Sequence, residues 1–327
     1  MTTRKPRRQT RTRAVAPPPA LPDRRLMEQQ MAALGRLLEA QDFASLDEAN
    51  AFIQRQLAAG QPLAAAPATP LEAAQELVYR ALEATGPRRL RLAREALALS
   101  PDCADAYVLL AEATRAPQEA RDLYVQAVRA GERALGPAAF QQDVGHFWGI
   151  LETRPYMRAR QGLAEVLWAL GEHQEAIGHL RELLRLNPGD NQGLRYTLAN
   201  WLLTTEDDAA LEGLLAQYPD EGSAAWAYTG ALAAFRRHGA GAPADAALRE
   251  ALQVNPFVPL FLLGAREVPH QLPAYVGFGD ENEAVAYVAE AAENWLAPPE
   301  ALNWLATVLT RAAPPSPTAK PRRLRRK

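Results

Sequence analysis

Apolar positions in the middle of the chain recur at intervals of three and four residues, in runs broken by Gly and Pro. Between Met157 and Asp190, one stripe is formed by Leu163, Ala164, Leu167 and Leu170, and a second by Ala176, Ile177, Leu180, Leu183 and Leu184. Each half therefore predicts an amphipathic helix. Gly171 lies between the halves, where a left-handed residue ends the first helix, and Pro188 stops the second before Asp190 or Asn191 can cap the next. Shifting this stretch by 34 residues superimposes Ala176, Ala210 and Ala244, then Leu180, Leu214 and Leu248, then Leu167, Trp201 and Phe235. Pro188 and Pro256 are two periods apart. The alanine is small for a packing reason, because two helices joined by so short a turn cross closely.

That period, with its late alanine and closing proline, resembles the tetratricopeptide helix-turn-helix repeat. One pair cannot bury both stripes, so the units must stack, and the expected fold is an all-α solenoid with a C-terminal helical cap. Five units fit, at 70–103, 104–137, 157–190, 191–224 and 225–258. In the first two, Pro87 and Pro117 stand at the start of a second helix, where the missing donor is harmless. An insertion at 138–156 interrupts the array of 70–258. Its Phe147, Trp148 and Ile150 are expected to plug the seam between the two halves of the array. Its His146, Glu152 and Arg154 form either a hydrogen-bonded cluster holding a bend or a polar site. Residues 259–311 are the expected cap, with one helix starting at Asp280 or Asn282 and another after Pro298-Pro299. Before the array, 24–69 reads as a separate short helical element and linker, with Ser45 capping its second helix.

Charge changes the picture at the ends. The formal net charge is −2, yet residues 1–25 carry eight Lys/Arg against Asp23 alone, and 312–327 carry six basic residues and no acid. The remainder has 22 basic and 37 acidic residues, a net near −15. Residues 1–23 and 312–327 are therefore expected to be disordered basic tails. They act either as solvated ends or as arms for nucleic acid or an anionic surface, and no aromatic residue is interleaved with the N-terminal arginines to stack on bases. The single Cys103 precludes an internal disulfide, no secretory signal is apparent, and no apolar run approaches the ~20 residues that span a bilayer. A cytoplasmic location is the expectation.

No nucleophile elbow, phosphate loop or dinucleotide fingerprint occurs, and the histidines at 146, 173, 179, 238 and 270 lack ligand spacing. Neither a cofactor nor a metal is expected, and the chain reads as a non-enzymatic scaffold for a protein or peptide partner. In stacked repeats, positions 2, 5, 9 and 12 of each first helix line a concave groove. They are Arg158, Gln161, Glu165 and Trp168, then Gln192, Arg195, Ala199 and Leu202, then Trp226, Thr229, Ala233 and Arg236. The three arginines would bind partner carboxylates. Trp168 and Trp226 would serve either as apolar anchors or as packing between helices.

Four stretches add a resemblance: GHFWGILETRPYMRAR from Gly145, NPGDNQGLRY from Asn187, NPFVPLFLL from Asn255 and GFGDENEAVAY from Gly277. They are similar to sequences of the suppressor of tumorigenicity seven family, from about Leu71 to Leu305. The resemblance implies a tetratricopeptide-like helical protein with no established catalytic role. It supplies no catalytic residues. Eukaryotic members are described as membrane proteins, whereas this sequence reads as a soluble bacterial relative.

Overall fold

A computed structural model describes residues 25–312, so both basic ends fall outside the described residues except for Ala312 and Arg25. The chain forms two compact units, 1–100 and 101–327. The division falls inside the stretch read as one array, after its first repeat.

In the first unit, α1 (Arg25–Glu39) and α2 (Leu46–Ala58) precede the pair α3 (Pro70–Leu82) and α4 (Gly86–Leu99). The Ser45 side chain caps α2 by accepting from the Glu48 amide. Thr69 and Glu72 form a reciprocal capping box that starts α3 beside Pro70. α1 is docked on the following pair. Arg36 on α1 pairs with Glu76 on α3 at 2.8 Å and also donates to the Ala65 carbonyl, while Gln29 donates to Glu76. These long-range polar contacts are invisible to local periodicity.

The second unit stacks four consecutive helix pairs: α5 (Ala104–Ala113) with α6 (Pro117–Gln142), α7 (Arg154–Ala169) with α8 (His173–Leu186), α9 (Leu194–Thr204) with α10 (Asp208–Gln217), and α11 (Ala224–His238) with α12 (Ala242–Val254). Each pair packs on the next through first helices or through a second helix on the following first helix. This is a tetratricopeptide-type solenoid. Its core is continuous, from Val108 through Leu167, Leu180, Leu198 and Leu232 to Leu248. Gly171, at φ 82°, closes the turn between α7 and α8. α6 overruns its expected end but bends at Gly136, whose φ of 70° breaks the helical path before Pro137.

The array is closed by a short helix α13 (Val258–Leu262), a loop, α14 (Glu281–Leu296) and α15 (Ala301–Ala312). Asp280 caps α14 by accepting from the Glu283 amide at 2.8 Å. Trp295 and Tyr287 of α14 pack on Tyr228 of α11, and Trp304 of α15 stacks on Phe235 at 4.6 Å. These rings bury the apolar end that stacking would otherwise leave bare.

Candidate functional site

The expected groove residues fall into three groups. On α7, Arg158, Gln161 and Glu165 do share a partly open face, and Gln192 reaches across from the start of the next repeat to donate to Gln161 at 2.7 Å. On α9 the expected face is largely closed. Leu202 is buried among Leu184, Leu198 and Leu214, toward α8 and α10, and the open side of α9 instead carries Thr197, Asn200 and Thr204. Asp190, itself at φ 47°, accepts from the Leu194 and Arg195 amides at 2.7 and 3.0 Å, and Gly193 follows at φ 75°. Ala199 and Ala233 are buried as well.

The three arginines do not present free guanidinium groups. Arg158 makes a two-point ion pair with the buried Asp105, at 2.9 and 2.7 Å. Arg195 pairs with Glu221 and Asp190 and lies over the rings of Tyr196 and Tyr218. Arg236 pairs with Asp208 at 3.1 Å and donates to the Leu203 carbonyl. In so acidic a body each guanidinium finds an internal carboxylate, and these partly buried pairs tie neighbouring repeats together. The indoles also have intramolecular partners. Trp168 stacks on Trp201 at 4.4 Å and on His173 at 4.1 Å, and Trp226 meets Tyr196 and Tyr218 edge-on.

One of the openings in the second unit is a cleft of about 380 Å³ where α14 runs along both α9 and α11. Its walls include Tyr196, Asn200, Trp226, Thr229, Tyr287 and Glu290. Val276 and Phe278, from the loop before α14, complete it. Phe278 is 82% exposed, and Leu272, Tyr275 and Val276 beside it are exposed too. Ala199, Trp226 and Thr229 are the expected groove residues that line this cleft. α14 is held on α9 by a polar seam, in which Asn294 donates to Asn200 Oδ1 at 2.7 Å and accepts from Thr204 at 3.1 Å.

A model of the ST7 protein family matches residues 61–320. The chain belongs to the ST7 protein family. Its curated relatives include suppressor of tumorigenicity 7 protein-like of Rattus norvegicus and of Mus musculus, each 30% identical over 68% of this chain and 44% of its own length. The Homo sapiens protein of that description is likewise 30% identical, over 68% of this chain and 43% of its own. The chain thus spans less than half the length of these relatives. Among solved structures, YrrB, described as a TPR protein with an unusual peptide-binding site, aligns over 56% of this chain and 80% of its own with TM-score 0.38 and 20% identity.

Two features of this ST7 family member escape a reading of the repeat. Glu283, buried at the start of α14, accepts from the Ala224 amide at 2.9 Å, from Asn255 Nδ2 at 2.9 Å and from the Gly279 amide at 2.7 Å. One carboxylate thereby joins the starts of α11 and α14 to the end of α12. The signal was present in the sequence as an acid in the helical phase of the apolar residues Ala284 and Tyr287. The insertion is the second. Phe147 is buried against Phe140 and Tyr156, but His146 and Glu152 are exposed and form no cluster with Arg154. Two successive 3-10 turns send those side chains apart. The bend is held by backbone acceptors instead: Thr153 donates to the Phe147 and Ile150 carbonyls, and Arg154 to the Trp148 carbonyl at 3.0 Å while lying over the Trp148 ring. Among the described residues no group of three or more His, Cys, Asp or Glu could hold a metal ion, and no helix is long and apolar enough to cross a membrane.

Proposed function

We propose that this ST7 family chain is a non-enzymatic scaffold that binds a segment of another protein in the cleft between α9, α11 and α14. The observation that supports the reading is the coincidence of that cleft with an exposed apolar loop, Leu272 to Phe278, on a body otherwise coated with charge. Contiguous exposed apolar surface beside a concavity is the usual mark of an interaction site, and the aromatic wall offers anchors of the kind that dominate binding energy. Of the residues expected from the sequence, Ala199, Trp226 and Thr229 lie in the cleft wall. Gln161, Glu165 and Gln192 extend the surface along α7 as a polar margin, with Arg158, Arg195 and Trp168 holding the helices beneath it.

The test is selection from a displayed random-peptide library by the full chain. Enriched peptides should lose at least tenfold in affinity with Phe278→Ser and with Thr197→Arg, the second placing bulk in the cleft from the open side of α9, while thermal unfolding stays nearly constant. Failure to enrich any peptide, or enrichment indifferent to both substitutions, would remove the cleft as a binding site.

A further inference from the structure

We infer that the cleft between α9, α11 and α14 takes the cationic side chain of a basic segment of a partner protein, against Glu290 and the aromatic wall, with an apolar neighbour resting on Phe278. The inference rests on the scaffold reading above and adds the chemistry of the partner.

Charge around the cleft is one-sided. Residues 251–300 hold seven carboxylates and a single cation, Arg266. Several of these acids have structural partners. Asp280 caps α14, Glu283 accepts from Ala224, Asn255 and Gly279, and Glu281 pairs with Arg266 at 2.6 Å. Glu290 differs. It lines the cleft, and its carboxylate has no hydrogen-bond or ion partner among the described residues. Glu290 is exposed at the mouth of the cleft, and the partial desolvation it does feel there raises its pKa above the ordinary carboxylate range. A cation brought beside it would pair with the carboxylate and oppose that shift.

The remaining lining suits the same ligand. Tyr196, Trp226, Tyr287 and Phe278 all border the cleft, and aromatic faces attract an ammonium or guanidinium group that has left water. Asn200 and Thr229 add neutral polar atoms. Among the described residues no Lys or Arg lines the cleft, and Arg195 and Arg236 are occupied by Glu221, Asp190 and Asp208. An acidic segment would therefore meet Glu290 with nothing to offset it, whereas a basic one is drawn by the field of the whole acidic body. The apolar loop fixes which basic segment fits: one with a Leu or Phe adjacent to its Lys or Arg.

The experiment uses the full chain and three fluorescent dodecapeptides of one Leu/Phe framework, carrying Lys and Arg, Gln, or Glu at the variable positions, read by polarisation. The basic peptide should bind at least tenfold more tightly than the other two. Glu290→Gln should weaken it about tenfold, Glu290→Lys should invert the order of the three, and Phe278→Ser should weaken all. Affinity for the basic peptide should also fall as pH drops through the raised Glu290 pKa in the wild type and not in Glu290→Gln. Equal binding of the three peptides, or indifference to both Glu290 substitutions while Phe278→Ser still acts, would overturn the cationic assignment and leave the scaffold reading standing. If no library peptide binds at the cleft either, the scaffold reading falls first. A full chain cut after Ala312 that binds the basic peptide ten times better than the intact chain would show that residues 313–327 occupy the cleft, and would overturn the assignment to a partner protein.

Discussion

Two side chains carry chemistry that their positions in the repeat do not announce. His179 on α8 is held in its neutral form, its pKa pushed down to about 4 by burial and then by the charge of Arg160. The unfolded chain takes up that proton near the ordinary value of ~6.5, and the folded chain does not until about 4. The stability tied to this group is therefore complete above the upper value and lost as pH falls through the window, by roughly 3 kcal/mol at most. Urea unfolding at pH 7 and pH 5 should show the loss, and His179→Leu should flatten it, since Nδ1 has no hydrogen-bond partner to forfeit. Cys103 is the opposite case. Burial, then the nearby charge of Asp105, raises its thiol to about 12, so almost no thiolate exists at neutral pH. Iodoacetamide at pH 8 should label it at least a hundredfold more slowly than a free peptide thiol, at the rate with which the start of α5 opens. In the sequence both residues were legible only as types. Their titration is set by which neighbours the fold brings against them.

At the scale of helices, the 34-residue phase was legible because core positions repeat, yet equal phase did not mean equal surroundings. Ala176 and Ala244 are fully buried at helix crossings, whereas Ala210 is half-open and borders a groove between α8 and α10. Ala176→Leu should overpack its crossing and cost about 1 to 3 kcal/mol. Ala210→Leu should be close to neutral, and a comparison of the two in thermal unfolding checks the distinction. Two helical glycines went unread, because glycine in a helix registers locally only as a weakness. A Cβ on Gly162 would overlap the Tyr124 ring, and one on Gly131 would lie 2.8 Å from Tyr156 Cβ. They let α6 and α7 approach closely. Gly162→Ala, which raises intrinsic helix propensity by about 1 kcal/mol, should nonetheless lower stability by about 1 to 3 kcal/mol. A gain in stability would show that Tyr124 swings clear.

At the scale of the second unit, the C-terminal helices decide both stability and the shape of the site. Glu283→Ala strands three donors at the junction of α11, α12 and α14, and should cost about 3 kcal/mol in denaturant unfolding. Glu283→Gln keeps one acceptor oxygen but turns an NH2 toward at least one of these donors, and should cost an intermediate amount. What the sequence determined by itself was whatever depends on neighbours within one or two turns. Amphipathic stripes fixed the helices, and short-range side-chain caps such as Ser45, Thr69 and Asp280 fixed where several begin. The closing cap at 259–311 followed from the need to cover an apolar end. Tertiary structure alone decided the site. Arg195 and Arg236 were correctly placed on the chain, but whether a guanidinium faces solvent or an internal acid depends on residues tens of positions away, and Glu221 and Asp208 took them. The cleft likewise joins α9 to α14 across some 90 residues, through Asn200 and Asn294. A period records what each helix buries. It does not record which helix returns from the far end of the chain to lie against it.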